Sequence, residues 1–148
     1  MLASCARPGS VAGAGPGGIT GGIAAPGSAQ DFMVNVGDRV FFTTDSTDLT
    51  PVSVATLTKQ VQWLQRYSRV AFIVEGHADE RGTREYNIAL GARRAAIVRE
   101  FMIARGIAPN RIRTISYGKE RPVAVCDDIS CWSQNRRAVT VITNAPGV

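Results

Sequence analysis

Two residues stand out as able to do chemistry. Asp79 lies in the charged run His77-Ala78-Asp79-Glu80-Arg81-Gly82-Thr83, and Arg94 lies in the segment that follows it. On a helix, at about 100° per residue, Tyr86, Leu90, Ile97 and Phe101 share one apolar stripe. Arg94 falls at the edge of that stripe, about 40° from Leu90, and Asn87 sits beside it at about 60°. A guanidinium at the edge of an apolar face needs a partner, because a buried unpaired charge is costly. Asp79 is the candidate partner, and two arrangements fit. One is an internal Asp79–Arg94 ion pair that fixes the loop. The other is a pocket between them in which the carboxylate holds an ammonium and the guanidinium holds a carboxylate, a site for a zwitterion. The sequence leaves both open.

Catalysis fits these residues poorly. His77 is the one histidine of the chain, which excludes a multi-histidine metal site. No serine or cysteine has an evident base beside it in sequence. Asp45, Asp79 and Glu80 could supply the paired carboxylates of a glycosidase, but nothing in a domain of this size implies the deep cleft that chemistry needs. No catalytic residue, metal ligand or cofactor is expected.

The elements that must position these residues follow from pattern. Val40–Thr44 is rich in strand formers. Thr50-Pro51 places a capping residue before a proline at the first helical position. Val54, Leu57, Val61 and Leu64 then recur at helical spacing, so 51–67 is an amphipathic helix. Residues 70–76 read as a central strand, 84–105 as a longer helix stopped by Gly106 and Pro109, and 111–117 as a third strand. Residues 127–135 suit a short helix and 138–142 a last strand. The order β-α-β-α-β-(α)-β predicts an α/β (α+β) two-layer sandwich. The Asp79 loop leaves the C-terminal end of a strand and enters a helix N-terminus, a place that favours ligands and anions.

The chain is unevenly composed. Of its 148 residues, 1–30 hold eight of the fifteen glycines, three of the seven prolines and a single charge, Arg7. The remainder holds all twelve acids and sixteen of the seventeen bases. Residues 6–30 read as a flexible linker with an r.m.s. reach of about 25–30 Å; 31–148 is the domain. No apolar run approaches the roughly 18 residues that would span a bilayer. The net charge is +5, from fifteen arginines and two lysines against the twelve acids. Acids are interspersed among the bases, so no nucleic-acid partner is expected. The preference for arginine suggests bidentate pairing with carboxylates.

Three cysteines are present. Cys126 and Cys131, five apart, could form a small-loop disulfide, stay reduced, or bind a metal; the spacing suits the disulfide best. Cys5 closes the segment Leu2-Ala3-Ser4-Cys5, which resembles the lipobox of bacterial lipoproteins. Residues 1–5 then read as the remnant of a signal peptide, with Cys5 lipidated.

Residues 75–95 read Glu-Gly-His-Ala-Asp-Glu-Arg-Gly-Thr-Arg-Glu-Tyr-Asn-Ile-Ala-Leu-Gly-Ala-Arg-Arg-Ala. With Ile112–Pro122 and Asn135-Arg136-Arg137-Ala138-Val139, this resembles the peptidoglycan-binding signature of the OmpA-like C-terminal domain family, in the version found in peptidoglycan-associated lipoproteins. The resemblance spans about residues 38–143. It implies a β-α-β-α-β-β core, with a mixed four-stranded sheet and two main helices on one face. It also implies noncovalent binding of the meso-diaminopimelate side chain of the peptidoglycan stem peptide. By motif, the site residues are Asp79, Arg94, Asn87, Leu90 and Asp45, with Thr44 on the same wall. Expected partners are Tol proteins, TolB above all and TolA as a further candidate, and the outer membrane through the lipid anchor, with the domain on its periplasmic face. A protein-interaction module that recruits Tol proteins without holding the wall is the alternative. The family's first strand usually ends like YFDFDS, whereas here Thr43 replaces an acid and Thr44 an aromatic.

Overall fold

A computed structural model describes residues 24–144. Cys5 and most of the expected linker lie outside the described residues. The domain begins earlier than the composition suggests. A short helix α1 (Ala29–Asp31) is capped by Ser28 and runs into a π-helical turn at Phe32–Val36. Its anchor is the buried carboxylate of Asp31. It accepts from the Gly27 N–H at 2.9 Å, from Asn35 Nδ2 at 2.7 Å and from Trp63 Nε1 at 2.9 Å. Burial opposes the charge of Asp31, but these donors and nearby Arg66 hold its pKa below the usual carboxylate value. The expected boundary after residue 30 therefore falls inside a folded segment. Polar, glycine-flanked residues gave no apolar period to mark it.

The remaining elements are β1 (Arg39–Phe41), α2 (Pro51–Arg66), β2 (Ala71–His77), α3 (Arg84–Ala104), a 3-10 turn at Pro109–Arg111, β3 (Ile112–Gly118), α4 (Ile129–Asn135) and β4 (Arg137–Asn144). The strands form one mixed sheet in the order β1-β4-β2-β3, with β2 and β3 parallel and the other pairs antiparallel. Helix α3 makes the crossover between the parallel strands, as such a pair requires. The core packs Phe72, Val74 and Ile112 of the sheet with Leu57, Leu64 and Met102 of α2 and α3. This is the two-layer sandwich expected from the pattern.

Two differences from the sequence pattern bear on function. First, β1 ends at Phe41 rather than at residue 44. The carbonyls of Phe42, Thr43 and Ser46 accept from arginine side chains, not from a neighbouring strand. Second, the buried stripe of α3 is rotated from the one the large apolar residues suggest. It runs through Asn87, Leu90, Gly91, Arg94, Ala95, Val98 and Met102, whereas Tyr86 is 43% exposed. Small residues set the seam. A Cβ on Gly76 of β2 would overlap the Gly91 carbonyl of α3, and a Cβ on Gly91 would come within 2.8 Å of the Gly76 carbonyl oxygen. The helix lies directly on the strand there, and that approach turns Arg94 inward.

Candidate functional site

The C-terminal end of β2, the first half of α3 and the turn after β1 meet around a pocket of about 240 Å³. All six residues singled out as ligand-binding, Thr44, Asp45, Asp79, Asn87, Leu90 and Arg94, line it. Arg81, Tyr86 and Arg136 line it too, and the sequence reading assigned them no ligand role.

Arg94 is fully buried, and it does not pair with Asp79. Its Nε donates to the Ser46 carbonyl at 2.9 Å, its Nη1 to the His77 carbonyl at 2.9 Å and its Nη2 to the Thr43 carbonyl at 3.1 Å. A guanidinium has five N–H donors, so these acceptors fix the plane and leave two donors over. None of the three partners carries a negative charge. Desolvation, with Arg136 nearby, pushes the Arg94 pKa down to about 10, which still leaves it charged at neutral pH. The internal ion pair is thus not formed. What remains is a rigid cation, lining a pocket, with donors to spare.

Asp79, in the loop before α3, is held by other partners. Its Oδ1 accepts from the Arg81 N–H at 3.0 Å and from Arg81 Nε at 3.2 Å. Its Oδ2 accepts from Arg81 Nη2 at 2.8 Å and from Arg136 Nη1 at 3.2 Å. Burial raises its pKa, but the Arg81 and Arg136 contacts outweigh burial and hold it below the usual carboxylate range. Arg136 is buried and anchored by Nε to the Phe42 carbonyl at 2.9 Å. The motif Asn135-Arg136-Arg137 was visible in the sequence, but its proximity to Asp79 arises only from the pairing of β4 between β1 and β2.

The loop is shaped from within. Asn87 Nδ2 donates to the Arg81 carbonyl at 2.7 Å, Gly82 takes a positive φ of 94°, and Thr83 caps α3 by accepting from the Tyr86 N–H. Asn87 therefore holds the loop closed. Across the pocket, Asp45 sits in the left-handed region at φ 56°, which Asp tolerates better than most residues. One of its oxygens accepts from the Tyr86 hydroxyl at 3.1 Å. Leu90 supplies the apolar floor, 3% exposed. Thr44 Oγ1 accepts from Arg81 Nη2 at 3.3 Å.

His77 is not part of the pocket chemistry. Its Nε2 is 3.1 Å from Glu75 Oε1, its ring stacks on Tyr117, and burial followed by Arg137 lowers its pKa. Among the described residues no cluster of three or more His, Cys, Asp or Glu is placed to hold a metal. Cys126 and Cys131 are joined in a disulfide, with Cα atoms 5.7 Å apart. The arginines serve mainly as carbonyl binders: Arg111, like Arg94, spans three backbone oxygens, those of Leu64, Tyr67 and Val70. Only Arg39, Arg81, Arg84 and Arg136 form ion pairs among the described residues.

The arrangement is that of a small binding module: an α/β domain presenting a charged pocket at the end of its central strand. Residues 41–136 match the model of the OmpA family. The peptidoglycan-associated lipoprotein of Mesorhizobium japonicum is 66% identical over 124 residues, covering 84% of this chain and 74% of that protein. The one from Agrobacterium fabrum is 62% identical, covering 97% of this chain and 82% of that protein. Among solved structures, the peptidoglycan-associated lipoprotein from Burkholderia pseudomallei superposes with a TM-score of 0.70 at 38% identity, covering 72% of this chain and 90% of that one. The chain therefore belongs to the OmpA family and, within it, to the peptidoglycan-associated lipoproteins.

Proposed function

We propose that this chain holds peptidoglycan noncovalently by the free end of meso-diaminopimelate in the stem peptide, and so ties the outer membrane to the wall. The observation that carries this reading is Arg94, a buried, charged guanidinium fixed by three neutral carbonyls, with two donors unspent beside acidic side chains. The distal carboxylate of diaminopimelate would take those donors in a bidentate pair. The distal ammonium would face Asp79, with Asp45 across the pocket. Leu90 would contact the methylene chain, and Asn87 would keep the loop closed around it. The pocket suits the end of one amino-acid side chain and not a polymer strand.

The function is binding without catalysis. Cys5 would carry the lipid, several acyl chains together giving durable anchoring, and the glycine-rich segment after it would be the leash. A single site of a few charge-assisted hydrogen bonds gives modest affinity, and many tethers on one polymer raise it through avidity. Tol proteins, TolB first, are the proposed protein partners at the same end of the domain.

Purified peptidoglycan with free diaminopimelate should sediment this chain, and peptidoglycan in which the diaminopimelate is amidated should sediment less than a tenth as much. Equal sedimentation would remove Arg94 from the contact. No sedimentation with either would favour a module that serves only protein partners.

A further inference from the structure

The Asp79 carboxylate, where a ligand ammonium would arrive, is not vacant. Arg81 covers it with three donors, two of them from the guanidinium at 2.8 and 3.2 Å. Arg81 differs from the other two pocket arginines. The side chains of Arg94 and Arg136 are buried and tied to backbone carbonyls, whereas that of Arg81 is 41% exposed and bonds no carbonyl. Its guanidinium lies between Thr44 Oγ1, at 3.3 Å, and the face of Trp132, 4.0 Å from the ring centroid. Trp132 is on α4, next to Cys131 and so to the disulfide that closes residues 126–131.

We propose that Arg81 is a built-in occupant of the cation subsite, which the ligand ammonium displaces, and that it thereby limits both the affinity of the pocket for zwitterions and its preference for them over ligands without the ammonium. This rests on the diaminopimelate reading given above. The geometry makes the exchange feasible. When the Arg81 side chain leaves, Asp79 keeps the Arg81 N–H and the Arg136 guanidinium, so the buried carboxylate is never bare. The departing guanidinium leaves the face of Trp132 as well as Asp79 and enters solvent, which it already half reaches. The charge at Asp79 is then the same before and after, one ligand cation for one arginine. A ligand with a carboxylate but no distal ammonium gains nothing from Asp79 and leaves Arg81 in place. Wild-type affinity is in this way held below what the pocket could deliver.

The test is calorimetric titration of the full chain with two probes. One is the tripeptide L-Ala-γ-D-Glu-meso-diaminopimelate. The other is the same tripeptide ending in 2-aminopimelate, which lacks the distal amine. Arg81→Ala should bind the diaminopimelate peptide about five- to tenfold tighter, since it removes a half-exposed ion pair and a cation–π contact that the ligand otherwise displaces. It should bind the aminopimelate peptide no tighter than wild type does. Trp132→Ala, which removes the stacking platform without touching Asp79, should shift the ratio of the two affinities in the same direction by a smaller factor. If Arg81→Ala weakens both peptides alike, Arg81 is a direct ligand contact and the displacement is wrong. If it changes neither, Arg81 does not compete for the subsite. Failure of wild type itself to bind the diaminopimelate peptide would instead overturn the underlying reading, a result distinct from either.

Discussion

Arg94→Ala is expected to abolish peptidoglycan binding and to destabilise the domain. The binding loss is expected to exceed a hundredfold, because two charge-assisted hydrogen bonds at about 1.5–3 kcal/mol each disappear together. The stability loss comes from a different set of contacts. Three carbonyls, of Thr43, Ser46 and His77, lose the guanidinium, the last in a buried setting and the first two in partly buried ones, at about 1 kcal/mol apiece. Relief of the desolvated charge offsets part of this, leaving a net cost of about 2–3 kcal/mol. Chemical denaturation measures the second effect and sedimentation with purified wall the first. Arg94→Lys separates them. A lysine restores the charge but has no planar fork, so it should recover part of the stability while binding stays at least tenfold weaker. A variant that binds normally would show that the guanidinium is structural only.

Gly76→Ala is the second large effect, and it lies outside the pocket. The added methyl would overlap the Gly91 carbonyl, which belongs to helix backbone and cannot rotate aside. Strand β2 and helix α3 would have to separate, at a cost of about 3 kcal/mol or more, a large part of the roughly 5–15 kcal/mol that a domain possesses. The pocket would suffer with it. Asp79 follows β2 and Arg94 projects from α3, so their spacing depends on that approach. The prediction is a fall in thermal midpoint accompanied by weakened binding in whatever fraction remains folded. An unchanged midpoint would mean that the helix does not sit on the strand as described.

The order of elements was legible because it depends on local patterning: the Thr50-Pro51 start, the stop at Gly106, and the alternation through β3 are all short-range signals. The location of the pocket was legible for the same reason, since the loop after a central strand and the guanidinium on an apolar helix face are both visible in one dimension. The partners of Arg94 and Asp79 were not. A carbonyl oxygen belongs to every residue, so no side-chain pattern marks Thr43, Ser46 and His77 as acceptors. Only the early end of β1 frees the first of them. Arg136 reaches Asp79 because β4 inserts between β1 and β2, a long-range pairing that its own segment does not encode. Tyr86 was placed in the core by its size. The seam is set by Gly76 and Gly91, whose importance lies in lacking side chains, and hydrophobic periodicity gives such residues no weight. The docking of residues 27–31 depends on one buried carboxylate meeting Trp63, again a pairing far apart in sequence.

The central claim is that the pocket recognises the free end of diaminopimelate. Its most direct test is calorimetric titration of the full chain with the soluble tripeptide L-Ala-γ-D-Glu-meso-diaminopimelate, set against the same peptide carrying lysine, which lacks the distal carboxylate. Saturable one-to-one binding of the first, at least tenfold tighter than the second, is the predicted result. Equal affinity for the two peptides, or no heat from either, would contradict it.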